Sequence, residues 1–252
     1  NFNNNPKPLF IVGDSHVLSI AWQTLHVPLS DCTHLAVPLV VTGIKAWHTR
    51  PSTRFFTHYH LHISLQRLPK TCRTILYSAG EIDCREGIGR ETLEGYSNDT
   101  SKIRQHVKST IEEYVTALIS LSHQYQLQIL VLPVAPHAYR SQRNGKAVGR
   151  AVRREIMQIW NQELKAALQQ LRPSDNNVFF LDYVDGLLCQ DSALPSNNNT
   201  TSSSIKNKNN LNNSEQYVLD PKFNADYTHM NSAFLPLLEV AIKNCGCDMN
   251  KF

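Results

Sequence analysis

Short apolar runs alternate along this chain with longer stretches in which apolar residues recur every three to four positions. Pro8-Leu9-Phe10-Ile11-Val12 is such a run, stopped by Gly13, and reads as a buried strand. Val17 to Leu25 then takes helical character, with Asp14 or Ser15 placed as its N-cap. Leu35 to Val41 is a second strand ended by Thr42-Gly43, and Phe55 to Leu68 a helix. Cys72 to Ala79 is a third strand stopped by Gly80, and Ile103 to Tyr125 carries a long amphipathic pattern. Leu127 to Val134 is a fourth strand, Ala151 to Leu171 a helix ended by Pro173, Val178 to Leu181 a fifth strand, and Ser232 to Lys243 a last helix.

Strand and helix thus alternate. A parallel pair of strands needs a crossover, so this order predicts an α/β three-layer sandwich with a five-stranded, mainly parallel central sheet of flavodoxin-like type. The expected organisation is one domain over residues 1–252. Residues 196–214, rich in Asn, Ser, Thr and Lys and nearly devoid of apolar side chains, are expected to be a disordered insertion. In parallel sheets ligands bind beyond the carboxyl ends of the strands, so the residues just after each run are where chemistry is to be sought.

Composition narrows the choice. Lys and Arg outnumber Asp and Glu by 25 to 21, a net charge of +4, too small to argue for nucleic acid. No apolar run reaches the length of about 18 residues that a membrane span requires, so a chain without a membrane helix is expected, in the cytoplasm or a secretory lumen. The chain opens on Asn1 rather than Met, consistent with a processed form or an excised domain. Its cysteines (Cys32, Cys72, Cys84, Cys189, Cys245, Cys247) form no C-x-x-C pair, which argues against a zinc site of ordinary spacing. Sequons at Asn98, Asn198, Asn199 and Asn212 do not fix the compartment, since three of them lie in the Asn/Ser tract.

The strand ends carry the candidate chemistry. The first delivers Gly13-Asp14-Ser15-His16, a hydroxyl at a helix start where backbone N–H groups can face a negative oxygen. The second delivers Gly43, where backbone can approach a substrate closely. The third delivers Gly80-Glu81-Ile82-Asp83-Cys84-Arg85, a dense group of charges. Near the C-terminus, Asp226-Tyr227-Thr228-His229 sets a carboxylate three residues before an imidazole, a spacing that lets the acid orient the base.

These four blocks, in this order and over almost the whole chain, resemble those of the SGNH (GDSL-like) hydrolases. The GDSH form with D-x-x-H further resembles SGNH domains found with carbohydrate O-acyltransferases. The resemblance implies a nucleophile at Ser15, a general base at His229 and an orienting carboxylate at Asp226. It also implies an oxyanion hole from the amides of Ser15 and Gly43, and no metal or organic cofactor; Gly80 is expected to help hold the oxyanion. Where the family's third block reads G-x-N-D, this chain has Ile82 in place of Asn. Loss of one oxyanion donor typically costs on the order of 10²–10³ in rate. Arg85, on the same loop, is the candidate substitute or a binder of an anionic substrate group.

The expected activity is hydrolysis of short-chain O-acyl esters, on a small molecule or a glycan. A sugar O-acyltransferase with the same residues, and a binding module with a retired site, are the rival readings. Glu81, Asp83, Arg85 and Trp47 are candidate substrate contacts, although Glu81 to Arg85 read equally well as an internal ion-pair network. Trp22 and Trp160 are expected in the core. His58, His60 and His62 alternate in a helical segment, where i and i+2 do not share a face, which argues against a metal site. Arg140, Arg143, Lys146, Arg150, Arg153 and Arg154 read as a solvated face. Cys245-Gly246-Cys247 reads either as a reactive or metal-binding pair or as a frayed tail.

Overall fold

A computed structural model describes residues 5–27, 32–88, 99–136, 147–171, 177–190, 217–223, 225 and 229–252. The 196–214 tract, Asp226 and half of the basic stretch (Arg140, Arg143 and Lys146) fall outside them. Strand β1 (Lys7–Gly13) lies at the centre of a six-stranded sheet, between β3 (Cys32–Val40) and β4 (Thr74–Ser78), and pairs with both in parallel. Beyond β4 come β5 (Gln128–Val131) and β6 (Val178–Phe180), again parallel. Short β2 (Thr24–Val27) closes the other edge, antiparallel to β3, and gives the order β2-β3-β1-β4-β5-β6. A separate hairpin pairs β7 (Leu188–Gln190) with β8 (Tyr217–Leu219).

The α/β architecture is as expected, with one strand more than expected in the main sheet. The difference lies in residues 17–27. Only Ser15–Ser19 is helical, as a 3-10 turn, and the chain then passes through Trp22 at φ +63° into β2. Thr24 to Val27 alternates exposed and buried positions, which is a strand signature hidden behind an apolar helical one. Trp22 is correspondingly 64 % exposed, not in the core.

Period-two alternation divides the central strands between two cores. Leu9, Ile11, Leu76 and Leu130 face one side, while Val12, Ile75, Tyr77, Ile129 and Val131 face the other. Helices α1 (Phe56–Gln66), α2 (Thr100–Tyr125) and α3 (Ala147–Gln169) contribute to the second core. Helix α4 (Leu235–Asn244) covers the first with Leu238, Ala241 and Ile242. Helix α2 shows why such a segment is helical. Ile103, Val107, Ile111, Tyr114, Leu118 and Leu121 recur on one face and are all buried. Each such side chain contributes about 1.5–3 kcal/mol on burial. Asp99 caps the start by accepting from the N–H groups of Ser101 and Lys102, and Gln126 at φ +54° ends it. Among the described residues no helix is long and apolar enough to cross a membrane.

Candidate active site

The serine is delivered by a crowded strand end. A Cβ on Gly13 would lie 2.4 Å from the Ser78 carbonyl oxygen, so only glycine lets β1 and β4 approach this closely. Asp14 follows, 2 % exposed, and caps the 3-10 turn: its Oδ1 accepts from the His16 N–H at 2.9 Å and pairs with His16 Nδ1 at 2.9 Å. Ser15 therefore opens the turn at the carboxyl edge of the sheet. Its Oγ lies 3.0 Å from Nε2 of His229, a residue 214 positions away. The His16 ring stands 5.0 Å from that of His229, centre to centre.

His229 sits on a loop fixed mainly by backbone. Its carbonyl accepts from the Ala225 N–H at 3.0 Å, and the Asn231 N–H donates to the Phe223 carbonyl at 2.7 Å. Asn231 also donates from its side chain to the Lys222 carbonyl and caps Ser232–Phe234 by accepting from the Ala233 N–H. Ser15 and His229 are thus within hydrogen-bond reach, the requirement for a nucleophile and its base. Asp226, the expected orienting group, lies outside the described residues.

Gly43 lies in the turn after β3 with φ +74°, in open space. Two buried side chains that the sequence does not advertise as a pair hold the segment after it. Asp83 accepts from the Ala46 N–H at 2.7 Å and the Trp47 N–H at 3.2 Å, and is only 4 % exposed. Burial raises its carboxyl above the usual range despite these donors. His48 accepts at Nδ1 from the Lys45 N–H at 3.3 Å and from the Thr57 hydroxyl at 2.8 Å. An acceptor at Nδ1 fixes the neutral tautomer with its proton on Nε2. Burial, with the charges of Lys45 and Arg50, lowers the imidazole below its ordinary value. His48 was not visible as a site residue because its role is backbone recognition, which leaves no motif.

The charged block after β4 is helical rather than a loop. Residues 81–88 wind into a short helix with a π turn at Asp83–Gly87. This turn sets Glu81 and Arg85 one above the other, Arg85 Nε donating to Glu81 Oε1 at 2.9 Å, while its Nη1 donates to Glu86 at 2.7 Å. Arg85 is thereby met by two carboxylates, and Asp14 adds to the field that raises its pKa against the opposing effect of burial. Among the described residues, Asp14 Oδ2 and Glu81 Oε2 are buried without a hydrogen-bond partner. Asp14, His16 and Glu81 offer ligand atoms within 4.8 Å of one another, a donor set that could take a divalent cation. The remaining oxygens are already engaged by His16 and Arg85, which gives the cluster charge balance of its own.

The other expected positions scatter. Gly80 has φ +119°, and a Cβ there would meet the Trp160 ring at 2.7 Å, so its conformation and its packing both demand glycine. Trp160 is fully buried, as expected. Ile82 is half-buried on the short helix. Trp47 is 47 % exposed with the Arg50 guanidinium over its ring. In α1, the rings of His58 and His62 meet at i, i+4, 4.4 Å apart and tilted by 60°, and His62 is hydrogen-bonded to Tyr125, while His60 is exposed.

No protein-family model matches the chain, and no curated protein does. Among solved structures, a protein designated an acylhydrolase from Bacteroides fragilis is similar at 14 % identity and a TM-score of 0.47, over 96 % of this chain and 86 % of its own. Phospholipase A1 of Streptomyces albidoflavus follows at 14 % identity and 0.46, covering 94 % and 100 %. A catalytic mutant of an acetylxylan esterase from Geobacillus stearothermophilus gives 12 % and 0.44, covering 97 % of each chain. Likeness at this level leaves the functional reading to rest on the side chains.

Proposed function

We propose that this chain is a serine esterase of the SGNH type, hydrolysing short-chain O-acyl esters, with a carbohydrate ester as the substrate class. One observation carries the reading: Ser15 Oγ and His229 Nε2 meet at 3.0 Å at the carboxyl edge of a parallel sheet, where such sheets bind ligands. In the proposed reaction His229 takes the Ser15 proton as Oγ attacks the ester carbonyl, and Asp226 holds the imidazole in the productive tautomer. Amides of Ser15 and Gly43, with Gly80 adjoining, face the tetrahedral oxyanion. His229 then returns the proton to the leaving alcohol, and water, deprotonated by the same imidazole, releases the acid. Asp83 and His48 act as positioning residues for the Gly43 segment.

The short acyl group rests on the resemblance of the four sequence blocks. The test is turnover of p-nitrophenyl acetate by the whole chain. Ser15→Ala and His229→Ala are each expected to lose on the order of 10⁴-fold or more in kcat, and Asp226→Asn up to roughly 10⁴-fold. Undiminished turnover in a folded Ser15→Ala protein would remove the assignment.

A further inference from the structure

At the opposite margin of the sheet, the tail after α4 reads Cys245-Gly246-Cys247-Asp248-Met249, with a sulfur at every second residue. Gly246 turns the chain at φ +77°, and both thiols then point at the Ile242 carbonyl, Cys245 Sγ at 3.1 Å and Cys247 Sγ at 3.9 Å. Cys247 Sγ lies 3.5 Å from Met249 Sδ. The tail is not frayed. Asp248 exchanges hydrogen bonds with Gln128 at the start of β5, donating its N–H at 2.8 Å and accepting at its carbonyl at 3.2 Å. The Lys251 carbonyl accepts from Thr74 at the start of β4, at 3.0 Å. The anchored tail therefore gathers three sulfurs, two at the Ile242 carbonyl and the third beside Cys247.

We propose that Cys245, Cys247 and Met249 form a binding site for a single soft monovalent metal ion, Cu(I), in trigonal sulfur coordination. Thiolate and thioether donors select Cu(I), whereas hard divalent ions need oxygen ligands. Trigonal coordination with bonds of about 2.3 Å sets the sulfurs roughly 4 Å apart, close to the spacing already present between Cys247 and Met249. On binding, the two thiols release their protons to solvent and nothing is oxidised or reduced. Access exists from one side: Cys245 lines a groove of about 520 Å³ between α3 and α4, bordered by Lys165, Leu168, Phe180 and Asn244. The site is remote from Ser15, so the proposal stands apart from the esterase reading.

The experiment is competition for Cu(I) between the reduced whole chain and bathocuproine disulfonate under anaerobic conditions. The chain is expected to withdraw one equivalent, and Cys245→Ser or Cys247→Ser to abolish that uptake. Met249→Leu keeps the packing volume, so it tests coordination without threatening the fold. It is expected to weaken affinity by at least about tenfold, as loss of even an outer partner of a metal ligand does. Cys72→Ser and Cys189→Ser serve as controls and should leave the equivalent in place. Uptake that survives either tail cysteine substitution would overturn the site. So would unchanged affinity in Met249→Leu, or a reduced chain that withdraws no Cu(I) and on air exposure only forms a Cys245–Cys247 disulfide.

Discussion

Replacing Asp83 with Asn probes the link between the charged block and the Gly43 turn. The carboxylate accepts from two backbone amides, of Ala46 and Trp47, in a site almost closed to water. The Asn side chain has nearly the same volume but offers one acceptor oxygen, so one amide gains a facing N–H₂ donor in place of an acceptor. A buried donor left unsatisfied costs about 1–3 kcal/mol. Burial of the charged carboxylate, seen in its raised pKa, offsets part of that loss, so the net falls near the lower end, about 1 kcal/mol. Urea unfolding followed by circular dichroism reads this term. Turnover reads the other consequence, since a shift of about 1 Å at an oxyanion donor can cost roughly 10²-fold in rate. The expected result is a modest fall in the unfolding midpoint with a disproportionate fall in kcat and little change in KM. Equal stability together with equal kcat would refute the positioning argument.

Further expectations follow from individual contacts. Gly80→Ala should destabilise the fold by several kcal/mol, because the new Cβ meets the Trp160 ring and the backbone stays at φ +119°; a thermal midpoint within a degree of the parent would contradict it. His48 titrates below 6.5, so an unfolded chain binds a proton there at pH values where the folded chain does not. Its stability contribution is whole above pH 6.5 and declines as the pH falls through the folded value. The stability gap between the parent and His48→Gln, measured by urea titration, should therefore narrow between about pH 7.5 and pH 5.5, and a widening gap would reverse the sign assigned here. Ile82→Asn, which restores the third-block amide, is expected to raise ester turnover by about tenfold or more. Unaltered kcat in that variant would show that another group already fills the oxyanion role.

How much could be read from sequence depended on whether the signal was local. Apolar runs such as Leu127 to Val134 located the parallel strands, and the block order singled out Ser15 and His229, which fold to 3.0 Å. Strand β2 escaped because Val17 to Leu25 is apolar enough to mimic a helix, and the backbone reversal at Trp22 leaves no glycine or proline to announce it. The Glu81 to Arg85 block was legible as charge but not as a helix. Its i, i+4 pair became meaningful only once Cys84 N–H was seen to return to the Gly80 carbonyl. The carboxylate of Asp83 looks like its neighbours in sequence, and only its burial against the Ala46 and Trp47 amides separates it from Glu81. The Cys-Gly-Cys tail was ambiguous for the opposite reason: its anchors, Gln128 and Thr74, lie more than a hundred residues away.

The central claim is an activated serine, and fluorophosphonate labelling of the intact chain tests it most directly. Mass spectrometry should find the adduct on Ser15, and both Ser15→Ala and His229→Ala should abolish it in folded protein. A folded parent chain that takes up no label, or one labelled equally well after His229→Ala, would contradict the account.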